Sequence, residues 1–162
     1  MINKPEFTES QKFSQWWRWL LLLSVMIFTI YNFAENRQYF STFELTLSFV
    51  IPILLIALFL VIRLETKINE QGISVRFFPF QITFRYYPWR NIKKVYVRKY
   101  SPLTEYGGWG MRRGLFGRGK AYNVKGNKGL QIILSDGKKV LIGTQKPEEI
   151  TKYLSDINKI LN

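Results

Sequence analysis

The 162-residue chain contains no Cys and no His, which excludes disulfides, thiolate metal sites, Cys nucleophiles and imidazole general bases. A zinc site would need carboxylates alone, a ligand set zinc rarely accepts, so no cofactor is expected. The 24 Lys and Arg against 11 Asp and Glu give a formal charge of +13. All of it falls on residues 63–162, because the four basic and four acidic groups before them cancel, and such segregation points to a polyanionic neighbour.

Residues 1–15 form a short N-terminal segment. The uncharged run Trp19 to Ala34, extended by Trp16, Trp17 and Arg18, predicts a helix over 16–34, near the length of about 20 residues that crosses a hydrocarbon core about 30 Å thick. Arg18 sits at its edge, where a long stem can reach the headgroups, and Trp16, Trp17 and Trp19 read as an interfacial belt. A signal peptide is disfavoured by those tryptophans and by the lack of a small-residue cleavage site. Leu45 to Ile62 is a second uncharged run, and its Pro52 is tolerable in a transmembrane helix. Residues 16–62 therefore predict a membrane α-hairpin with spans 16–34 and 45–62, its first partner being the lipid bilayer. The connector carries Glu35, Arg37 and Glu44, whereas Lys4, Lys12, Arg18, Arg63, Lys67 and Arg76 flank the outer ends. The positive-inside rule then places both termini in the cytoplasm, at the cell (inner) membrane, with Tyr31, Tyr39 and Phe40 near the outer interface.

From Leu64 the apolar period changes to two, and 63–162 reads as one mainly-β domain. Leu64–Asn69 predicts a strand ended by the turn Asn69-Glu70-Gln71-Gly72. Ile73, Val75 and Phe77 alternate with polar residues, as do Ile82, Phe84 and Tyr86; a turn at Phe78-Pro79-Phe80-Gln81 would oppose Phe77 to Ile82, Val75 to Phe84 and Ile73 to Tyr86. After a short turn at Pro88–Ile92, Lys93–Tyr100 is a strand, followed by a long irregular stretch from Ser101 to Gly119. Ala121–Val124 and Gly129–Leu134 are further strands. Ser135-Asp136-Gly137 predicts a tight hairpin pairing Ile132 with Val140 and Leu130 with Ile142. A final helix starts at Pro147, with Glu148 and Glu149 at its positive end and Ile150, Leu154, Ile157 and Leu161 forming an apolar stripe.

Seven short antiparallel strands followed by one amphipathic helix is the element order of a PH-like (pleckstrin-homology) barrel. The runs Lys67-Ile68-Asn69-Glu70-Gln71-Gly72-Ile73, Pro88-Trp89-x-x-Ile92, Tyr106-Gly107-Gly108-Trp109-Gly110 and Leu141-Ile142-Gly143-Thr144-Gln145-Lys146-Pro147 resemble a bacterial group of uncharacterised two-span membrane proteins with a C-terminal PH-like domain. The resemblance covers about residues 64–150. It implies that fold and membrane setting, and no activity.

The segment with the strongest chemical signature is 100–120, where six of the 11 glycines alternate with Arg112, Arg113, Arg118 and Lys120 and with Tyr106, Trp109 and Phe116. Glycines let a backbone approach an anion and arginines bind phosphate with paired donors. Trp109, Arg112, Arg113, Arg118 and Lys120 are therefore the candidate anion- or partner-binding residues. The competing reading is a long strand connection with Trp109 packed on the sheet and its arginines in water. No Gly-Lys-Ser/Thr follows the glycines, so a P-loop is excluded. Arg76, Arg85 and Arg98 with Tyr87, Tyr96 and Tyr100 alternate in a way that could stack on bases, but nucleic acid is the weaker reading beside an anionic lipid surface. No paired carboxylates suit acid–base work, so an enzyme is disfavoured. The expectation is a noncatalytic binding or scaffold module with a protein partner, the alternative being recognition of an anionic lipid headgroup.

Overall fold

The computed structural model describes residues 6–12, 16–39, 41–114 and 117–159. The side chains of Trp16, Trp17, Arg18 and Arg37, and residues Lys4, Phe40, Phe116 and Leu161, all used in the sequence reading, lie outside the described residues.

The first element is a strand, β1 (Phe7–Lys12). Phe7, Glu9 and Gln11 point inward and Thr8, Ser10 and Lys12 outward, so the two-residue period is present but two of three inward groups are polar. β1 runs antiparallel to β2 (Arg63–Ile68), from Phe7 opposite Ile68 to Lys12 opposite Arg63. The described part of the N-terminal segment up to Lys12 thus belongs to the β unit, and the helical unit lies in sequence between two neighbouring strands.

The helical unit holds α1 (Trp16–Asn36) and α2 (Thr42–Val61). α2 starts in a capping box: the Ser41 hydroxyl accepts from the Glu44 amide, and the Glu44 carboxylate accepts from the Ser41 amide at 2.9 Å. Phe33 and Phe49 meet edge to face at 5.9 Å between centroids. α1 carries polar groups in its length: Thr29 Oγ1 and Asn32 Nδ2 donate back to the carbonyls of Val25 and Phe28. Among the described residues one helix, Thr42–Val61, is long and apolar enough to cross a membrane, by length and composition.

The β unit, among the described residues, has nine strands in two sheets. The first sheet orders β1, β2, β3 (Gly72–Phe78) and β4 (Arg85–Pro88). The second comprises β5 (Ile92–Lys99), β6 (Gly110–Arg113), β7 (Lys120–Asn123), β8 (Lys128–Leu134) and β9 (Lys139–Gly143), in the order β5-β8-β9-β7-β6. Leu64, Ile73 and Val75 of the first sheet and Val95, Leu130, Ile132 and Leu141 of the second are fully buried. α3 (Pro102–Tyr106) follows β5, and α4 (Pro147–Asp156) closes the chain with Ile150 and Leu154 buried; Ile157 is half-buried at its end.

These findings correct the expected membrane hairpin of two transmembrane helices carrying a PH-like barrel of seven antiparallel strands. The architecture is dominated by two sheets, with four α-helices among the described residues. Among the described residues one helix, not two, meets the requirements of a span by length and composition. The charge-free run Trp19–Ala34 falls short of the about 20 apolar residues a span needs, and Ser24, Thr29 and Asn32 interrupt it. The description of the chain as a two-span membrane protein loses its support with it. The sheets also depart from the expected topology, because β7 and β9 run parallel, Lys120 beside Val140 and Tyr122 beside Ile142. β8 occupies one edge of β9, and the link 124–127 carries the chain across so that β7 takes the other.

The β3–β4 register is shifted by one residue from expectation. Ile73 faces Tyr87 and Val75 faces Arg85, after an irregular connection that leaves Ile82 exposed. A one-residue slip exchanges the faces: Tyr87 is buried, whereas Tyr86 is 48% exposed.

Candidate functional site

The Gly- and Arg-rich segment is not an irregular connection. After α3 it forms a hairpin in which β6 pairs with β7, from Gly110 opposite Asn123 to Arg113 opposite Lys120. The turn is closed by the Gly114 amide donating to the Gly119 carbonyl at 2.6 Å. Glycine is required at both ends of that turn. A Cβ on Gly114 would lie 2.8 Å from the Tyr106 ring, and one on Gly119, where φ is +83°, would lie 1.9 Å from the Lys139 carbonyl oxygen.

A buried carboxylate anchors the hairpin from below. Glu105 of α3 accepts from Arg98 Nη2 at 2.8 Å, from Arg118 Nη1 at 2.9 Å and from the Ser101 amide at 2.9 Å. The Arg98 hydrogen bond is the main reason its carboxyl is held at about 2, against the ordinary 4.5, even though burial opposes ionisation. The Tyr106 hydroxyl reaches the Arg118 carbonyl at 3.5 Å. Tyr100, Tyr106, Ala121 and Leu141 pack beneath as a small apolar cluster.

Above this base a cleft of about 400 Å³ opens, lined by Arg85 and Tyr87 of β4, Arg113 of β6, Lys120 of β7, Leu134 of β8, and Lys138, Lys139 and Val140 where the chain turns into β9. Four glycines, Gly114, Gly117, Gly119 and Gly137, complete the wall with bare backbone. Lys138 is paired with Asp136 at 2.6 Å. Arg85, Arg113, Lys120 and Lys139 make no ion pair among the described residues, and no described carboxylate lines the cleft. The crowding acts on Lys120: the positive charge of Arg85, then burial, then Arg113 hold its ammonium below its usual pKa. Tyr87 is only 5% exposed, and burial pushes its phenol above the ordinary range. The Arg85 guanidinium lies 5.8 Å from the centre of its ring.

Of the five residues nominated from sequence, the structure brings Arg113 and Lys120 into the cleft. Arg118 is held by Glu105. Trp109 donates its indole N–H to the Gly126 carbonyl at 3.4 Å, and Arg112, which alternates with Arg113 on the opposite face of β6, donates to the Trp109 carbonyl at 3.3 Å. Arg85 and Tyr87 were read only as part of the weaker base-stacking stripe, and Lys138 and Lys139 were not nominated. The period-two spacing of Arg85 and Tyr87 and the lysine pair directly after a predicted hairpin loop were the available signals. No group of three His, Cys, Asp or Glu that could hold a metal ion occurs among the described residues. No family model matches this chain, and no curated protein matches it.

Proposed function

We propose that the chain is a noncatalytic binding module whose β unit takes an anionic ligand in the cleft formed by β4, the β6–β7 hairpin and the start of β9. The observation that carries this reading is the direct cross-strand opposition of Arg113 and Lys120, with Arg85 and Lys139 on the same cleft and no carboxylate among its described lining residues. Like charges facing each other across a strand pair cost stability, roughly 0.2–1 kcal/mol. An anion seated among these cations removes that cost and gains charge-assisted hydrogen bonds. A noncatalytic role is supported by the chemistry of the neighbours. The sequence supplies no His or Cys, Glu105 is committed to two arginines, and Asp136 to Lys138. Whether a small molecule or a protein partner presents the anion, the same residues meet it.

The test is thermal unfolding of the full-length protein in sodium sulfate against sodium chloride at matched ionic strength. Sulfate stabilises folded chains in general by exclusion from their surface, so the reading is the excess of sulfate over chloride in the wild type relative to the double variant Arg113→Gln with Lys120→Gln. That excess should be larger in the wild type and already present at low millimolar sulfate; an equal excess in both proteins would remove the case for a site.

A further inference from the structure

Resting on the anion-binding reading, we infer that the cleft selects an organic phosphate monoester, a dianionic phosphate carried on a body with an apolar face. Two observations lead there. The first is the amount of uncompensated charge. Arg85, Arg113, Lys120 and Lys139 come from four different strands onto one cleft, without a carboxylate among its described lining residues. A carboxylate or sulfate ester brings one negative charge to this set, whereas a phosphate monoester brings about 1.5 to 2 at neutral pH, with three acceptor oxygens for the paired donors of the arginines. The depressed pKa of Lys120 is the signature of the same imbalance.

The second observation is the size and texture of the cavity. At about 400 Å³ it falls in the range of pockets that enclose small organic molecules, and so exceeds what a bare phosphate fills. The lining between the cations is apolar: Leu134, Val140 and Tyr87, whose ring centre lies 5.8 Å from the Arg85 guanidinium. The glycines at 117 and 137 add no side chain to the cleft, and a Cβ built on either meets nothing within 4 Å among the described residues. A ligand that satisfies both halves carries its phosphate to the arginines and lays an apolar or ring face on Tyr87 and Val140.

Three probes separate the parts of this inference: phenyl phosphate, phenyl sulfate and inorganic phosphate, each titrated calorimetrically into the full-length protein at pH 7.5. Phenyl sulfate has nearly the shape of phenyl phosphate with one charge less, and inorganic phosphate has the charge without the ring. Phenyl phosphate should bind roughly tenfold more tightly than phenyl sulfate, from the added charge. It should also exceed inorganic phosphate by roughly tenfold, from the buried ring. The pair Arg85→Gln with Lys139→Gln should abolish the phosphate–sulfate difference, while Lys152→Gln with Lys159→Gln, the same charge change on and just beyond α4, should leave it intact. Equal affinity for phenyl phosphate and phenyl sulfate overturns the dianion, and equal affinity for phenyl phosphate and inorganic phosphate overturns the organic body; either leaves the anion-binding reading standing. Absence of binding by all three overturns both. Displacement of phenyl phosphate by phosphatidylcholine vesicles containing phosphatidic acid, but not by phosphatidylcholine alone, assigns the ester to a lipid. Displacement by soluble sugar phosphates or nucleoside monophosphates alone assigns it to a small metabolite.

Discussion

Glu9 of β1 accepts a hydrogen bond of 2.7 Å from the Thr144 hydroxyl, 135 residues further along the chain. Its second oxygen accepts from the Gln145 amide at 2.8 Å, and two residues on, the Gln11 side-chain amide donates to the Gly143 carbonyl at 2.7 Å. Glu9 is 4% exposed and Gln11 5%. The inward polar groups of β1 therefore fasten the edge of one sheet to the end of β9 in the other. Glu9→Ala leaves the Thr144 hydroxyl and the Gln145 amide without their acceptor and should cost about 2 kcal/mol. Denaturant unfolding of the variant reads this directly, and an unchanged midpoint would mean the clasp contributes nothing.

The same strand makes a topological prediction. Lys12 and Arg63 are register partners, although fifty residues of helical unit separate them in sequence. Excising 13–62 and joining β1 to β2 with a two-residue Asn-Gly turn should yield a folded β unit, because that turn suits adjacent antiparallel strands. A fragment that begins at Leu64 lacks β1 and leaves the β2 edge bare, with Leu64 and Ile68 losing part of their cover. Dispersed amide signals are expected from the joined protein and collapsed ones from the fragment; the reverse pattern would refute the role given to β1.

How far the sequence spoke for the structure follows from how local each signal is. The β8–β9 hairpin was legible because loop and strands are contiguous: Leu130 pairs with Ile142 and Ile132 with Val140, and Gly137 takes φ +79°. The turn at Asn69 was legible for the same reason, its side-chain oxygen accepting from the amides of Gln71 and Gly72. Ile150 and Leu154 mark the buried stripe of α4. β1 was not legible, because Glu9 and Gln11 occupy inward positions where an apolar period is sought. β6 has no alternating pattern, and the parallel pairing of β7 with β9 depends on which edge of β9 is free, which no local window holds. The site divides along the same line. Arg113 and Lys120 stand in a segment whose glycines announce close backbone approach, whereas Arg85 and Tyr87 reach the cleft only through a β3–β4 register one residue away from the one that best aligns the apolar residues.

Glu105 gives the β unit an acid sensitivity of known sign. Its carboxyl is depressed to about 2 from 4.5, chiefly by Arg98, so it contributes stability that is complete above pH 4.5 and is lost as the pH falls towards 2. Glu105→Gln should cost about 2 kcal/mol at pH 7. The gap between wild type and variant should then narrow from pH 4.5 downward. A gap independent of pH over that interval would show that the charge of Glu105 is not what holds Arg98 and Arg118.

Lys120 carries the opposite consequence. Its pKa is depressed below 10.5 by Arg85, burial and Arg113, so the folded protein binds this proton less readily than the unfolded chain does. The resulting destabilisation is complete below the depressed value and is relieved as the pH rises towards 10.5. Lys120→Gln should therefore stabilise the protein at pH 7, by about 0.5 kcal/mol. The advantage should shrink on approach to pH 10.5 and also in the presence of sulfate, which relieves the wild type by another route. A variant less stable than wild type at neutral pH would show that Lys120 is held by a favourable contact instead of crowded by its neighbours.

The join between β7 and β9 fixes the distance between the cations of the cleft, and it depends on one glycine. Gly119 has a positive φ of +83°, and a Cβ there would lie 1.9 Å from the Lys139 carbonyl oxygen, a backbone atom that can yield only if the strands part. Gly117 has a similar φ of +72° with nothing within 4 Å of a built Cβ. The two positions therefore separate conformational strain from close approach. Gly117→Ala should cost only the left-handed penalty, about 1–2 kcal/mol. Gly119→Ala bears that penalty and also spreads β7 from β9, so its loss should exceed that of Gly117→Ala by at least about 2 kcal/mol, in the range that marks a forced backbone rearrangement. Because Lys120 follows Gly119 and Lys139 supplies the obstructing carbonyl, the same substitution should weaken anion binding even in the fraction that remains folded. Unfolding measured beside sulfate-dependent stabilisation reads both effects, and equal losses at 117 and 119 would refute the close approach on which the geometry of the cleft rests.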